Sequence, residues 1–146
     1  GEFASGVIIH EGQLTWKSHG LNLLLDFGIW WNERTGGLPL PLGGNVVRKD
    51  LGEQLCEEIT AWVKQSIELA ISQPDEALKF ARKWGRGIDQ ETNSRFVKMY
   101  VNDRTIDYQE DGRESIRRFL TEGQNIGMVD SEFEVNGVSF IGANEV

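Results

Sequence analysis

The chain has 146 residues, 39% of them hydrophobic, 10% aromatic and 26% charged, which places it among ordinary soluble globular domains, with one domain as the default. Its 15 Lys+Arg stand against 23 Asp+Glu, a formal charge of −8 that repels a phosphate backbone over most of the surface, so no nucleic-acid partner is expected. The single Cys56 has no internal partner and no Cys/His cluster has zinc spacing, which points to a reducing cytoplasm; without a leader or an apolar run of ~18 residues, no membrane association is expected either.

In chain order, Gly6-Val7-Ile8-Ile9 is a short β-branched run that reads as a strand buried on both faces of a parallel sheet. Leu14 to His19 can make a turn of helix, and Leu21 to Leu25 reads as a second strand, ending at Asp26. Phe27 to Arg34 places Phe27, Trp30 and Trp31 at helical spacing and stops at Thr35-Gly36-Gly37, a glycine C-cap. Leu38-Pro39-Leu40-Pro41-Leu42-Gly43-Gly44 is held extended by prolines at alternate positions, and Asn45-Val46-Val47-Arg48 follows as a strand.

From Asp50 to about Ile126 the pattern is helical. Asp50 with Glu53 and Asp107 with Glu110 have capping-box spacing, Pro74 suits a first helical position and Asp89 suits a cap. Leu51, Leu55, Ile59, Val63 and Ile67 form an apolar stripe along a long helix, and Ile116, Phe119 and Leu120 form another. The basic residues Arg82, Lys83, Arg86, Arg113, Arg117 and Arg118 read as solvated helix faces. In the tail, Val135-Asn136-Gly137-Val138 predicts a hairpin or an extended strap. Few short strands followed by many helices is half of an α/β architecture, so the expectation is a partial protein or one that completes its sheet with another chain.

His10 follows the first strand, at the carboxyl end where open α/β sheets bind ligands. An imidazole titrates near ~6.5 and can act as a general base; on spacing alone His10 is either that or a structural histidine bonded to backbone. Glu11 reads as a surface carboxylate and His19 as a turn residue. His-Glu-Gly-Gln-Leu lacks the second histidine of a zincin, and Gly43-Gly44-Asn45 precedes a strand rather than a helix, so neither a metalloprotease nor a phosphate loop is supported. Those glycines admit close approach of a ligand or of another segment. Trp30-Trp31 is core packing or the lining of an aromatic pocket.

The strings Gly6-Val7-Ile8-Ile9-His10-Glu11-Gly12-Gln13-Leu14-Thr15, Asp26-Phe27-Gly28-Ile29-Trp30-Trp31, Leu38 to Asn45, Phe96-Val97-Lys98-Met99-Tyr100-Val101-Asn102 and Thr105-Ile106-Asp107-Tyr108 resemble, in this order, the 1,4-dihydroxy-6-naphthoate synthases of the futalosine route to menaquinone. The resemblance covers residues 1 to about 128. It implies an α/β, type 2 periplasmic-binding-protein-like two-lobed fold, present here as its C-terminal part and helix-rich after residue 50. Residues 1–37 would end the second lobe and make the return crossing, and residues 38–146 would complete the first lobe. The implied activity is a cytoplasmic lyase that converts cyclic dehypoxanthinyl futalosine to 1,4-dihydroxy-6-naphthoate. His10 would be the proton acceptor and Leu42, Gly43, Gly44 and Asn45 would line the cleft. No cofactor or metal is implied. The expected partners are a small-molecule substrate and either an absent N-terminal half, which holds further substrate-binding residues, or a second copy. The rival reading is a non-catalytic binding module or partial subunit of the same fold.

Overall fold

The computed structural model describes residues 3–10, 12–81 and 90–142; the readings of Glu11, Arg82, Lys83, Arg86 and Asp89 lie outside them. The packing begins at Asp26, whose carboxylate accepts from the backbone N–H of Gly28 at 2.8 Å and of Ile29 at 3.1 Å. That cap fixes the start of a helix, α2 (Phe27–Thr35), which Gly36 closes in the left-handed conformation at φ 77°. A one-turn helix, α1 (Gly12–Thr15), and a 3-10 turn (Trp16–His19) precede it.

α2 turns Trp31 inward, where it is 2% exposed. Its indole N–H donates to Ser115 Oγ at 2.8 Å, and Ser115 Oγ donates onward to the Pro39 carbonyl at 2.6 Å. Phe119 meets the Trp31 ring edge-on at 5.4 Å. Thr35 Oγ1 donates to the Trp31 carbonyl and accepts from Leu38 N–H, so the chain leaves α2 in a set direction. An ion pair between Arg34 and Glu122 at 3.0 Å closes the rim of the same contact. The last helix, far along the chain, thus meets α2 and the proline segment that follows it on one buried indole.

Between residue 50 and Asn125 the described residues are mainly helical, as the sequence pattern predicts: α3 (Glu53–Ser72), α4 (Pro74–Ala81), α5 (Gln90–Tyr100), α6 (Asp103–Ile106) and α7 (Gln109–Asn125). Pro74 opens α4 as expected. α4 and α6 pack on α3. The capping box belongs to α6: Asn102 Oδ1 accepts from Arg104 N–H at 3.0 Å, and Thr105 Oγ1 accepts from Asn102 N–H at 3.1 Å. Asp107 accepts from Gln109 N–H at the head of α7. Arg104 then grips Asp111 through two parallel bonds of 2.8 and 2.7 Å.

Several expectations require correction. The described residues contain helices and turns and no strand, so residues 6–9, 21–25 and 45–48 are not strands here. A strand is stabilised by a neighbouring ladder, and these segments have none: Val7 is 70% exposed, Leu24 80% and Val46 98%. Asn136-Gly137 does not turn a hairpin. It lies in a 3-10 turn (Val135–Gly137) that buries Val135, because Gln124 Nε2 donates to the carbonyls of Asp130 and Phe133 and ties the tail to α7 instead of to a second strand. Asp50 does not cap α3, whose N-cap is Gly52; Asp50 pairs with Arg48 across a 3-10 turn (Lys49–Leu51). The α3 stripe is largely open to solvent, with Leu51, Leu55 and Val63 exposed and Cys56 the buried residue of that helix, its thiol against the Arg48 carbonyl.

Two tests follow from this packing. Replacing Ser115 with Ala strands the buried Trp31 N–H and removes the donor to Pro39, so denaturant unfolding should show a loss of about 1–3 kcal/mol; a loss below ~0.5 kcal/mol would contradict the central role given to this relay. The hydrogen bonds from Arg104 hold the Asp111 carboxyl below its ordinary range. A lowered folded-state pKa stabilises the protein above the ordinary aspartate range, and that contribution is lost as pH falls through the lower folded value. The melting temperatures of the parent and an Asp111→Asn variant should therefore differ at neutral pH and converge in acid; a gap that persists in acid would refute the ion pair as its source.

Candidate functional site

His10 is exposed, and its backbone is left-handed at φ 56°, a conformation that side chains beyond glycine rarely hold. Its carbonyl accepts from Gln13 N–H at 3.1 Å, which turns the chain into α1. The imidazole faces Phe96 of α5, ring centroids 6.3 Å apart and tilted by 54°. Phe96 in turn stacks toward Tyr100 at 4.9 Å, and Gln13 Nε2 donates to the Tyr100 hydroxyl at 2.7 Å. The imidazole is thus exposed on one side and backed by an aromatic pair on the other.

Leu42, Gly43, Gly44 and Asn45 lie exposed beyond Pro41, outside any helix or strand. Tyr108, just before α7, brings its hydroxyl to 2.8 Å from where a Cβ on Gly44 would stand. A side chain at position 44 would displace this phenol, so the close approach that the glycine admits is made here by Tyr108. Phe140 of the tail meets Tyr108 edge-on at 6.0 Å, with the Arg113 and Arg117 guanidiniums 5.9 and 5.1 Å from the Phe140 ring. Arg104 donates to the Tyr108 carbonyl, so the Arg104–Asp111 pair also braces this corner.

The two parts of the expected site rest on different elements: His10 on α5, and Leu42–Asn45 on Tyr108. No hydrogen bond, ion pair or ring contact joins them among the described residues. Two open grooves have volumes of about 370 and 390 Å³. One is lined by residues 51–55 and Glu58, the other by Thr121, Gln124 and residues 134–137; neither takes in His10 or residues 42–45. Among the described residues no group of three or more His, Cys, Asp or Glu side chains is placed to hold a metal ion, and no helix is long and apolar enough to cross a membrane. Trp31 is core, while Trp30 is exposed beneath the Arg34 guanidinium. Gln13, Phe96, Tyr100 and Tyr108 were not singled out from the sequence as site residues. The Phe96/Tyr100 spacing of one helical turn was the available signal.

Comparison with known proteins gives these residues a context. A family model described as menaquinone biosynthesis matches residues 1–125. The chain is 38% identical over 128 residues to a Thermus thermophilus protein named 1,4-dihydroxy-6-naphtoate synthase, covering 88% of this chain and 47% of that one. It is 33% identical over 129 residues to a Streptomyces coelicolor protein of the same name, covering 88% and 45%. A crystal structure of an Archaeoglobus fulgidus protein is similar with a TM-score of 0.77 and 40% identity, over 84% of this chain and 46% of that one. The chain therefore spans about half the length of the curated relatives it matches. A match across residues 1–125, which takes in His10, the proline segment and helices α2 to α7, places the chain in the menaquinone biosynthesis family.

Proposed function

We propose that the chain is the C-terminal part of a 1,4-dihydroxy-6-naphthoate synthase, a cytoplasmic lyase that takes cyclic dehypoxanthinyl futalosine to 1,4-dihydroxy-6-naphthoate. The observation that carries this reading is the identity of 38% and 33% to two proteins of that name over 88% of the chain. His10 is the base. Its imidazole takes a proton from the substrate, the electron pair released breaks the carbon–carbon bond to the sugar-derived fragment, and the aromatic naphthoate ring forms. Aromatisation drives the step; the protein supplies position and a site from which water is expelled.

The fold of the whole protein in this reading is the two-lobed periplasmic-binding-protein type, with residues 1–37 ending one lobe and residues 38–146 belonging to the other. The exposed apolar runs support it. Val7, Ile8 and Ile9, Leu21 to Leu25 and Val46 carry strand composition and lie open to solvent, and the relatives are about twice as long as the stretch matched here. In the whole protein these segments become strands of a sheet completed by further chain or by a second copy, and that closure brings His10 and Leu42–Asn45 to opposite walls of one cleft.

In the whole protein, His10→Asn should lower naphthoate formation by about 10²–10⁴-fold, followed by product chromatography; an undiminished rate would remove His10 from the chemistry. Gly44→Ala forces the Tyr108 hydroxyl away and narrows the segment beside it, so KM should rise more than kcat falls. A variant with parental KM would show that residues 42–45 do not face the substrate.

A further inference from the structure

The strain at His10 asks what holds it. A non-glycine residue in the left-handed region is strained, and such a conformation persists only where its surroundings over-determine it. Three contacts do so. Gly12 has no side chain, and a Cβ there would lie 2.7 Å from Ile8 Cγ2, so the chain can fold tightly over itself on either side of His10. Gln13 is bonded at both ends: its backbone N–H donates to the His10 carbonyl at 3.1 Å, and its side-chain amide donates to the Tyr100 hydroxyl at 2.7 Å. Phe96, one turn before Tyr100 on α5, stands against the imidazole.

We infer that Tyr100 is a positioning residue for His10, acting through Gln13, so that α5 sets the direction in which the imidazole meets substrate. This rests on the reading of His10 as the base. The phenol itself has no part in the chemistry. It anchors the amide of Gln13, and Gln13 anchors the peptide that carries the imidazole. Tyr100 is also well seated for the task, since its carbonyl accepts from Thr105 Oγ1 at 2.8 Å and ties the end of α5 to α6.

Tyr100→Phe in the whole protein keeps the ring and deletes only the acceptor oxygen. The expected result is a fall in kcat of about tenfold, the equivalent of one hydrogen bond, with KM changed by less than about twofold. Gln13→Ala should give the same loss, and the double variant should be no worse than either, because both remove one tether. The His10 imidazole resonances, assigned by their absence in His10→Asn, should move in Tyr100→Phe while those of His19 stay. Unchanged kcat with unmoved His10 resonances, or losses that add in the double variant, would overturn the proposal. Failure of the parent reading is recognised separately: His10→Asn would then retain turnover, and the resonance shift alone would decide whether Tyr100 positions His10.

Discussion

A buried indole N–H must find an acceptor, and in this chain the acceptor is a serine hydroxyl that must then find an acceptor of its own. Trp31, Ser115 and Pro39 solve both needs in one line, within 2.8 and 2.6 Å. Pro39 is suited to the last place because proline contributes a carbonyl without an N–H of its own to satisfy. The relay ties the first long helix, the extended segment and the last helix into a fixed relation, and the Phe119 edge contact and the Arg34–Glu122 pair reinforce what it begins. The stretch from Leu38 to Asn45 leaves this anchor with its direction already chosen, which is why Gly44 arrives beneath Tyr108.

What the sequence made legible were features whose causes are local. The glycine stop of α2, the absence of helix across Pro39 and Pro41, the proline start of α4 and the helical run after residue 50 depend on residues within a turn of each other. The strands were misread because a strand is a statement about a neighbour. Val7 to Ile9 and Leu21 to Leu25 have the right composition, but no ladder reaches them among the described residues. Asn136-Gly137 failed for a related reason: the dipeptide favours a tight turn of either kind, and the Gln124 amide, reaching the carbonyls of Asp130 and Phe133, decided between them. Asp50 shows competition at closer range, since Arg48 two residues away claimed its carboxylate before a helix N-terminus could.

The candidate site was legible in its parts and not in its supports. His10 drew notice as an imidazole after an apolar run, and Gly43-Gly44 as a place of close approach. Of the residues that hold them, Gln13 is close in sequence to His10, but Tyr100 lies 87 positions from the Gln13 that it anchors, and Tyr108 is similarly remote from Gly44. No pattern of spacing predicts a contact of that range. The division of labour is nonetheless consistent: the exposed groups belong to turns and extended chain, and the helices after residue 90 supply the surfaces against which those groups are set.

At the corner between α6 and α7, beside the Arg113–Asp107 ion pair, the Arg104 guanidinium engages both oxygens of Asp111 and also reaches the Tyr108 carbonyl. A lysine in place of Arg104 would preserve the charge and lose the planar fork, since an ammonium is a point donor that cannot serve both carboxylate oxygens and a carbonyl in one geometry. The contacts made from this position therefore depend on the shape of the side chain as well as on its charge. The exchange usually counted as conservative is the one that would let the corner, and with it the phenol over Gly44, come loose.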